Sequence, residues 1–493
     1  LAHSVLIPEL RGKGKLEILP TSHIPEIWGD GKERIIFCHD LITLVRDRQL
    51  RDRWAVGPTP LFWDTHNAPP GKVQLALAGA KGISHVPYDR ILCISEYLLK
   101  GMEVYFRLAA PAENGGPPAH LSLLPRSLNT KEFLPAKGPE QKGEFRRQHQ
   151  LPIDGKIAVF MSRLTPAAKA DLAPLIESFV EGARDGECLV IAGPENSPGY
   201  VRALGQLIPH ECRDKVLIRE HVPPDSRRSF LAACDFFVFP GDFLMEGAGL
   251  AIFEALCCGL PVVCSDLDGF RESIEHGVNG LKVRTVVLPG FDRLEWTAGV
   301  SSFFLDGIQQ AQCVWIDHEE FMSSFWRMMR EDAFRKQCSE YAASTAPIRH
   351  DLSRSHALMM EMAEESMAMA RADGDGRHRR QQDAILAGPP AIFWEVFRFA
   401  GSEEASLESL LKLTPKGRRL QDGALALDWY ADVLPFVNRA FQQRALTELE
   451  ACPTSIGRLV ETGRTLGLDK SDVIFQIGLL LKQNCVAIEV ISD

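Results

Sequence analysis

Short apolar runs alternate with amphipathic stretches through the middle of the chain. The amphipathic stretches place apolar residues at helical spacing, and each apolar run is four or five residues long. Runs this short and this continuously apolar are typical of strands buried on both faces of a sheet. They lie at residues 157–161, 188–192, 216–219, 236–239 and 262–265. The alternation predicts a parallel, doubly wound α/β sheet.

A second series of strands is predicted in the first third of the chain. Residues 34–38 and 59–65 form apolar runs that each lead to a histidine, residues 91–95 lead into a helical pattern, and a further element spans 123–133. Four residues that favour turns interrupt the pattern between residues 133 and 150: Pro135, Gly138, Pro139 and Gly143. This interruption predicts a linker, with a first domain at 1–140 and a second at 141–345.

Helical patterns dominate the last third of the chain. A helix at 319–329 ends the second domain, and a methionine-rich helix at 358–369 lies within the segment 346–371. The polar stretch 372–383 predicts a linker before a third unit at 384–493. That unit has helical patterns at 406–413, 425–439 and 472–482, followed by a strand at 486–490. This order favours a small, mainly helical, winged-helix-like domain.

Length and charge narrow the class of protein. A chain of 493 residues exceeds what one hydrophobic core organises, and 45% hydrophobic with 24% charged residues is ordinary for a globular protein. The formal net charge is −10, and from residue 384 onward 14 Asp and Glu outnumber 11 Lys and Arg. This balance argues against a nucleic-acid partner. We expect the C-terminal unit to mediate homo-oligomerisation or to dock a protein partner.

Cysteines and apolar runs indicate the compartment. The twelve cysteines are scattered without paired C-x-x-C spacing and lie in apolar segments as small hydrophobes, which fits a reducing cytoplasm. No apolar run approaches 18 residues and no signal peptide is visible. We therefore expect a cytoplasmic protein, with any membrane contact peripheral at the inner face. Because the chain begins with Leu1, we expect a first domain that is truncated, processed or divergent.

Two carboxylates bracket a glycine-rich turn between the strand at 236–239 and the helix that follows. Glu246 enters the turn, Gly247 and Gly249 lie within it, and Glu254 is one to two turns inside the helix. The glycines let a ligand approach backbone N–H groups at the helix start, where partial positive charge favours phosphate or carboxylate oxygens. A carboxylate suits paired sugar hydroxyls because it is a pure acceptor. The alternative is a solvated helix residue at Glu254 and an ordinary helix-entry turn at Gly249.

Two cations follow the strand at 157–161. Arg163 lies two residues after the strand, and Lys169 lies at the start of the next helical pattern. Ligands of open α/β sheets bind at this edge, and an Arg fork together with a Lys point charge suits a diphosphate whose negative charge grows as it leaves. The alternative is ordinary surface charge.

The run from Glu246 to Glu254, followed by Gly259-Leu260-Pro261-Val262-Val263 and by the glycines Gly269, Gly277 and Gly280, resembles the carboxy-terminal half of GT-B glycosyltransferases of the GT4 type, or group 1. The resemblance covers roughly residues 34–369 and is most specific over 163–281. It implies two Rossmann-like domains that face a cleft, with segment 346–371 as a helix that crosses back to the first domain.

The resemblance also implies roles for individual residues. Arg163 and Lys169 would hold the donor phosphates, Glu246 the hydroxyls of the donor sugar and Glu254 the ribose. The backbone of Gly247, Ala248, Gly249 and Leu250 would line the sugar and phosphate pocket. His66 would lie beside the donor sugar, although a structural hydrogen bond is the commoner explanation for a histidine at a strand end.

The resemblance implies a reaction as well. It is the transfer, with retention of anomeric configuration and no obligatory metal, of a hexosyl or related sugar from a UDP-, GDP- or ADP-sugar. The acceptor would be a glycan, a glycolipid or a protein, in polysaccharide or glycolipid assembly.

Three alternatives stay open. A glycan phosphorylase or synthase on the same scaffold would use similar cations with a different donor. A catalytically silent scaffold that docks partners is motivated by the missing glycine-rich loop, which family members carry after their first strand. A Rossmann dehydrogenase is disfavoured because no G-x-G-x-x-G motif follows a strand.

Overall fold

The computed structural model describes residues 33–38, 44, 48, 51, 58–65, 85–109, 119–244, 246–289, 303–373, 401, 403–425 and 437–489. The chain divides into two compact units. The first draws on Leu1–Lys131, Gly247–Leu250 and Pro347–Val396, and the second on Glu132–Glu246, Ala251–Ala346 and Phe397–Asp493.

The described strands and helices are numbered in chain order. The strands are β1 (Ile36–Cys38), β2 (Leu61–Thr65), β3 (Val86–Cys93), β4 (Ala119–Leu123), β5 (Lys156–Met161), β6 (Glu187–Ala192), β7 (Val216–Arg219), β8 (Phe236–Phe239), β9 (Val262–Ser265), β10 (Gly280–Val283), β11 (Thr285–Val287), β12 (Val314–Ile316), β13 (Glu403–Glu404), β14 (Leu410–Leu413), β15 (Thr454–Ser455) and β16 (Val486–Ile488). The α-helices are α1 (Glu96–Ala109), α2 (Pro139–Gln148), α3 (Ala173–Gly182), α4 (Tyr200–Gln206), α5 (Arg227–Ala232), α6 (Leu250–Cys257), α7 (Phe303–Ala311), α8 (His318–Arg330), α9 (Asp332–Arg349), α10 (Leu352–Ala372), α11 (Pro415–Gln421), α12 (Arg439–Ala451), α13 (Ile456–Thr465) and α14 (Lys470–Lys482).

The first unit contains a four-stranded parallel sheet in the order β1-β2-β3-β4. Its two central strands are almost fully buried, as parallel strands covered on both faces must be. The three strands predicted first in this part of the chain are confirmed. The predicted element at 123–133 is displaced, because β4 ends at Leu123 and the residues after it lie outside any described strand.

Helix α10 belongs to the first unit. It begins at Leu352, where the Asp351 side chain accepts from the N–H of Ser353 and so caps the helix, and it is longer than the predicted helix at 358–369. Arg90 of β3, itself buried, donates to Ser366 at 2.8 Å and to Glu365 at 2.6 Å. None of the described helices, α10 included, is both long enough and apolar enough to cross a membrane.

The second unit is built on a six-stranded parallel sheet in the order β10-β9-β8-β5-β6-β7. The five strands predicted here are confirmed, and β10 adds a sixth. Aromatic side chains fill the core beside the central strands: the rings of Phe160 and Phe239 stack with centroids 5.7 Å apart, and Phe270 meets Phe239 edge-on at 5.3 Å. The predicted α/β class, with two parallel Rossmann-like sheets, is confirmed.

Helix α2 occupies most of the predicted linker at 133–150, and the boundary between the two units falls just before it, at Lys131 and Glu132. Gly138 precedes the helix with φ 154° and Pro139 is in its first turn, where a proline costs no hydrogen bond. Arg146 of α2 then donates to Asp235 at 2.8 Å. The glycine and proline that favour a break therefore begin a helix that packs on the second unit.

The C-terminal residues 401–489, here called the C-terminal module, also differ from the prediction. The helix predicted at 406–413 is wrong: strand β14 lies there, between β15 and β16 in an antiparallel sheet, with Leu411 fully buried. Pairing on both edges overrides the local helical pattern. Most of the helix predicted at 425–439 lies outside the described residues, and α12 begins at its last residue, Arg439, with Asn438 as cap. Helix α14 and strand β16 agree with the predictions.

The C-terminal module shares a core with the rest of the second unit, although a separate domain at 384–493 was expected. Val286, Leu288 and Trp315 lie in one apolar cluster with residues of α12, α13 and α14. Strand β13 extends the sheet of β11 and β12. The physical reason is that α14 is buried along nearly its whole length, so one small sheet cannot cover all its apolar faces.

The backbones at the ends of β5 and β6 approach closely at Gly193. This glycine has φ 137°, and an added Cβ would lie 1.7 Å from the carbonyl oxygen of Ser162. We expect Gly193→Ala to lower the free energy of unfolding by about 1–3 kcal/mol, seen as a lower melting temperature in calorimetry. Gly205→Ala is the control, because Gly205 lies in helix α4 with open space around it and should gain helix propensity. Equal melting temperatures for the two variants would contradict the close approach.

Candidate functional site

The carboxyl ends of β5 and β8 meet near the middle of the second unit's sheet. β5 is flanked by β6 on one side and β8 on the other, so the strand order reverses between β5 and β8. Ligands of open α/β sheets bind at such a reversal, beyond the carboxyl ends of the strands. The loop after β5 carries Lys169, and the loop after β8 carries Glu246.

Lys169 and Glu246 form an ion pair between these two loops. Their side chains are only 15% and 10% exposed, so each charge depends on the other for compensation. The two residues were selected from separate motifs, and the structure brings them together. An anionic ligand that reached Lys169 would have to replace Glu246 as its partner.

Asp242, which the sequence analysis missed, holds the turn that carries Lys169. Its backbone N–H donates to the carbonyl oxygen of Lys169 at 3.4 Å, and its Oδ2 accepts from the N–H of Asp171 at 3.2 Å. The same carboxylate pairs with Lys482 of α14. Burial raises the pKa of Asp242 to about 6, against the opposing effect of Lys482. Its position three residues after the buried strand β8 was the signal that could have identified it.

The turn after Glu246 needs its glycines. Gly247 and Gly249 have φ 75° and 67°, in the left-handed region that residues with a Cβ seldom adopt. Ala248 between them is buried, and Leu250 begins helix α6. The sequence prediction of a glycine-dependent turn that leads directly into a helix is therefore confirmed for the backbone.

Glu254 is buried on α6, so the alternative of a solvated helix residue is wrong. Its side chain is 10% exposed, and its Oε2 accepts from Nη2 of Arg227 at 2.5 Å. Burial raises the pKa of Glu254 to about 7, against the opposing effect of Arg227. Arg227 was not identified from the sequence, because nothing in the start of α5 relates it to a residue on the next helix along the chain, beyond strand β8.

The raised pKa of Glu254 predicts a pH-dependent stability. Since the folded state binds this proton up to about pH 7 and the unfolded chain releases it near pH 4.5, stability contributed by protonated Glu254 is lost as pH rises between these values. We expect Glu254→Gln to be more stable relative to the unmodified protein at pH 8 than at pH 5, by about 3 kcal/mol at most. Melting temperatures at both pH values measure this. The exposed Glu181 provides the control variant Glu181→Gln, which makes the same substitution without removing a buried carboxylate.

Arg163 is not brought into this arrangement by the structure. Arg163 is exposed, two residues beyond β5, and among the described residues no hydrogen bond or ion pair joins it to Lys169 or Glu246. His66 follows β2 but lies outside the described residues, as does His39. Within the described ranges no group of three or more His, Cys, Asp or Glu side chains is placed to hold a metal ion. The predicted roles of Arg163 and His66 and the metal independence stay predictions.

The segment that carries Lys169 and Glu246 is similar to known proteins. Residues 155–295 match the family model for glycosyl transferases group 1. A GDP-mannose-dependent alpha-(1-6)-phosphatidylinositol monomannoside mannosyltransferase of Mycobacterium tuberculosis is 30% identical over 175 residues, which are 34% of this chain and 44% of that protein. A D-inositol 3-phosphate glycosyltransferase of Acidothermus cellulolyticus is 28% identical over 178 residues, 34% of this chain and 38% of that protein.

A crystal structure of an Anabaena protein with UDP and glucose aligns with 67% of this chain and 78% of its own, at 17% identity and a TM-score of 0.49. The resemblance to group 1 glycosyltransferases, predicted most specifically over residues 163–281, is confirmed by the family match. The alignments span less than half the length of the two curated relatives.

Proposed function

We propose that this protein is a retaining glycosyltransferase that moves a hexosyl or related sugar from a nucleotide-diphosphate sugar to a glycan, glycolipid or protein acceptor. The observation that carries the proposal is the ion pair of Lys169 and Glu246 at the reversal of the sheet, within the segment that matches glycosyl transferases group 1. A cation and a carboxylate at this place supply what a diphosphate and a sugar each need.

Donor binding exchanges the partners of the ion pair. Lys169 leaves Glu246 and donates to the donor diphosphate, with Arg163 as a second cation, and Glu246 becomes free to accept hydrogen bonds from sugar hydroxyls. As the bond between the anomeric carbon and the phosphate oxygen breaks, negative charge grows on the diphosphate and Lys169 stabilises it. The acceptor oxygen forms the new bond to the anomeric carbon, and its proton passes to the departing diphosphate.

Glu254 is suited to the ribose of the donor. The ionised carboxylate accepts from two neighbouring hydroxyls, and Arg227 at 2.5 Å favours that ionised form inside a buried environment. With a pKa of about 7, Glu254 gains its charge near neutral pH, so nucleotide binding should strengthen as pH rises through 7.

The names of the relatives suggest where to begin with the donor. One relative uses GDP-mannose and acts on a phosphatidylinositol mannoside, and another acts on inositol 3-phosphate. We therefore place GDP-mannose first among the candidate donors, with other GDP-sugars, UDP-sugars and ADP-sugars after it. A glycolipid or inositol-containing acceptor agrees with a protein that works at the inner face of a membrane.

The test is a panel of these nucleotide sugars. Binding is measured by calorimetry and release of nucleoside diphosphate by a coupled assay, for the unmodified protein and for Glu254→Ala. We expect one nucleotide series to bind, to be consumed slowly without acceptor, and to bind more weakly in the variant. Binding without any turnover would instead favour the silent scaffold, turnover that needs inorganic phosphate would favour a phosphorylase, and no binding would refute the proposal.

A further inference from the structure

The turn that carries Lys169 rests on helix α14 of the C-terminal module. Ala167, two residues before Lys169, is fully buried in a cluster with Ile308 of α7 and with Phe475 and Leu479 of α14. Gly307 of α7 approaches so closely that an added Cβ would lie 1.8 Å from the carbonyl oxygen of Ala167. The backbone beneath Lys169 therefore cannot shift without moving α7 or α14.

A polar connection runs parallel to this apolar contact. Lys482, the last residue of α14, pairs with Asp242, and the two side chains are 6% and 5% exposed. The ammonium group also lies 3.5 Å from the carbonyl oxygen of Ala311. Asp242 in turn holds the Lys169 turn on both sides, through the carbonyl of Lys169 and the N–H of Asp171. One cation of the C-terminal module is thus connected to Lys169 through a single residue.

We propose that Lys482 is a positioning residue for the donor site: it acts through Asp242 to place the ammonium group of Lys169 for the diphosphate. The C-terminal module is then part of the catalytic unit and holds the donor site from beneath. This proposal rests on the proposed function only where it assigns the diphosphate to Lys169. Without Lys482, the carboxylate of Asp242 would be buried with no cation, and it would take up a proton or turn away from Asp171. Either change weakens the hydrogen bond from the N–H of Asp171 that helps to hold the turn.

If the pair of Lys482 and Asp242 served only stability, Lys482→Met would destabilise the protein without a specific effect on Lys169. The chain offers a matched control in Lys416 of α11, which pairs with Glu177 of α3 at 2.5 Å. This pair also joins the C-terminal module to the rest of the second unit, but neither of its residues contacts the Lys169 turn through any described hydrogen bond. Lys416→Met therefore removes one charge from a second, more exposed pair of the same module, whose side chains are 19% and 36% exposed, without touching the connection to Lys169.

The experiment compares Lys482→Met and Lys416→Met, each alone and combined with Lys169→Met, in the full-length protein. Donor turnover gives kcat and KM. In a second measurement, made without any donor, the rate at which a reagent acylates the Lys169 amine is followed by peptide mass spectrometry and reports the environment of that amine. We expect Lys482→Met to lower kcat/KM by roughly 10- to 100-fold, the cost of a small misplacement of a catalytic group. In a protein that already carries Lys169→Met, the added Lys482→Met should lower kcat/KM by less than about 2-fold, because both substitutions act through the Lys169 ammonium group. Lys482→Arg should restore part of the loss.

Several outcomes decide the proposal. An equal loss in the Lys169→Met background, or an equal loss from Lys416→Met, would overturn it and leave a purely structural pair. If the unmodified protein consumes no nucleotide sugar, the proposed function fails, and the acylation rate of the Lys169 amine then tests the role of Lys482 separately. A rate that changes in Lys482→Met but not in Lys416→Met supports this role. A rate that is unchanged in Lys482→Met refutes it. Should Lys482→Met fail to fold, Lys482→Met with Asp242→Asn removes both buried charges and takes its place with the same expected results.

Discussion

Replacing Lys169 with Met is expected to lower kcat for glycosyl transfer by about 100- to 1,000-fold, as removal of one donor to a developing anion does in other enzymes. Methionine keeps most of the side-chain volume and removes the charge, so the loss reports the ammonium group. Since the diphosphate bears more charge when it leaves than when it is bound, the decrease should be larger in kcat than the increase in KM. Steady-state assays with the donor identified by the panel measure both.

The controls for Lys169→Met separate charge from folding. The substitution leaves Glu246 without its partner in a site where that carboxylate is 10% exposed, so the melting temperature should fall. Lys169→Met with Glu246→Gln removes both charges and should recover the melting temperature but not kcat. Lys169→Arg should retain part of the activity. A value of kcat within about 3-fold of the unmodified protein for Lys169→Met would remove the ion pair from the mechanism.

Ending the chain at Asp373 is expected to abolish folding of the second unit, the largest effect on stability that we foresee. Val286, Leu288 and Trp315 would lose the apolar cluster supplied by the C-terminal module. Each large apolar side chain returned to water costs about 1.5–3 kcal/mol, so these three together cost about 4.5–9 kcal/mol, which is comparable with the roughly 5–15 kcal/mol that stabilise a typical domain. Soluble yield and the calorimetric transition of the second unit provide the measurement.

A matched pair of leucines tests the same core with a smaller change. Leu480 of α14 is 1% exposed in the shared cluster, whereas Leu466 is 44% exposed. We expect Leu480→Ala to cost about 2–5 kcal/mol and Leu466→Ala to change stability little. A chain that ends at Glu489 retains every described element and should melt like the full chain. An unchanged transition for the chain ending at Asp373 would restore the separate domain that the sequence suggested.

The fold was predictable where local patterns and the final contacts agree. Each of the strands β5 to β9 contains a continuous apolar run of three to five residues, and such runs favour strands covered by other parts of the protein. The prediction failed where distant contacts decide the outcome. Strand β14 gains its structure from β15 and β16, which follow it by more than 40 and 70 residues, and α2 begins at the glycine and proline that favoured a linker.

The residues of the candidate site also fall into two groups, those that local sequence patterns identify and those that only distant contacts reveal. Lys169, Glu246, the glycine turn and Glu254 stand in motifs with fixed spacing, so the sequence could identify them before any contact was known. Arg227 and Lys482 lie 27 and 240 residues from the carboxylates they pair with, and no local pattern relates such positions. For Asp242 the sequence is informative only in part. Its position after a buried strand places it at the edge of the sheet, but no sequence pattern indicates which residues it contacts.

The salt bridge between Arg90 and Glu365 has a consequence for how the protein is made. Its two residues are 275 positions apart, and helix α10, which carries Glu365, lies beside a sheet whose strands are translated long before it. At about 5–20 residues per second, the ribosome needs about 15–55 s to synthesise the intervening chain. During that time the nascent first sheet has an uncovered apolar surface, which makes it a substrate for chaperones that act at the ribosome, and synonymous codons that slow the intervening segment should increase its aggregation.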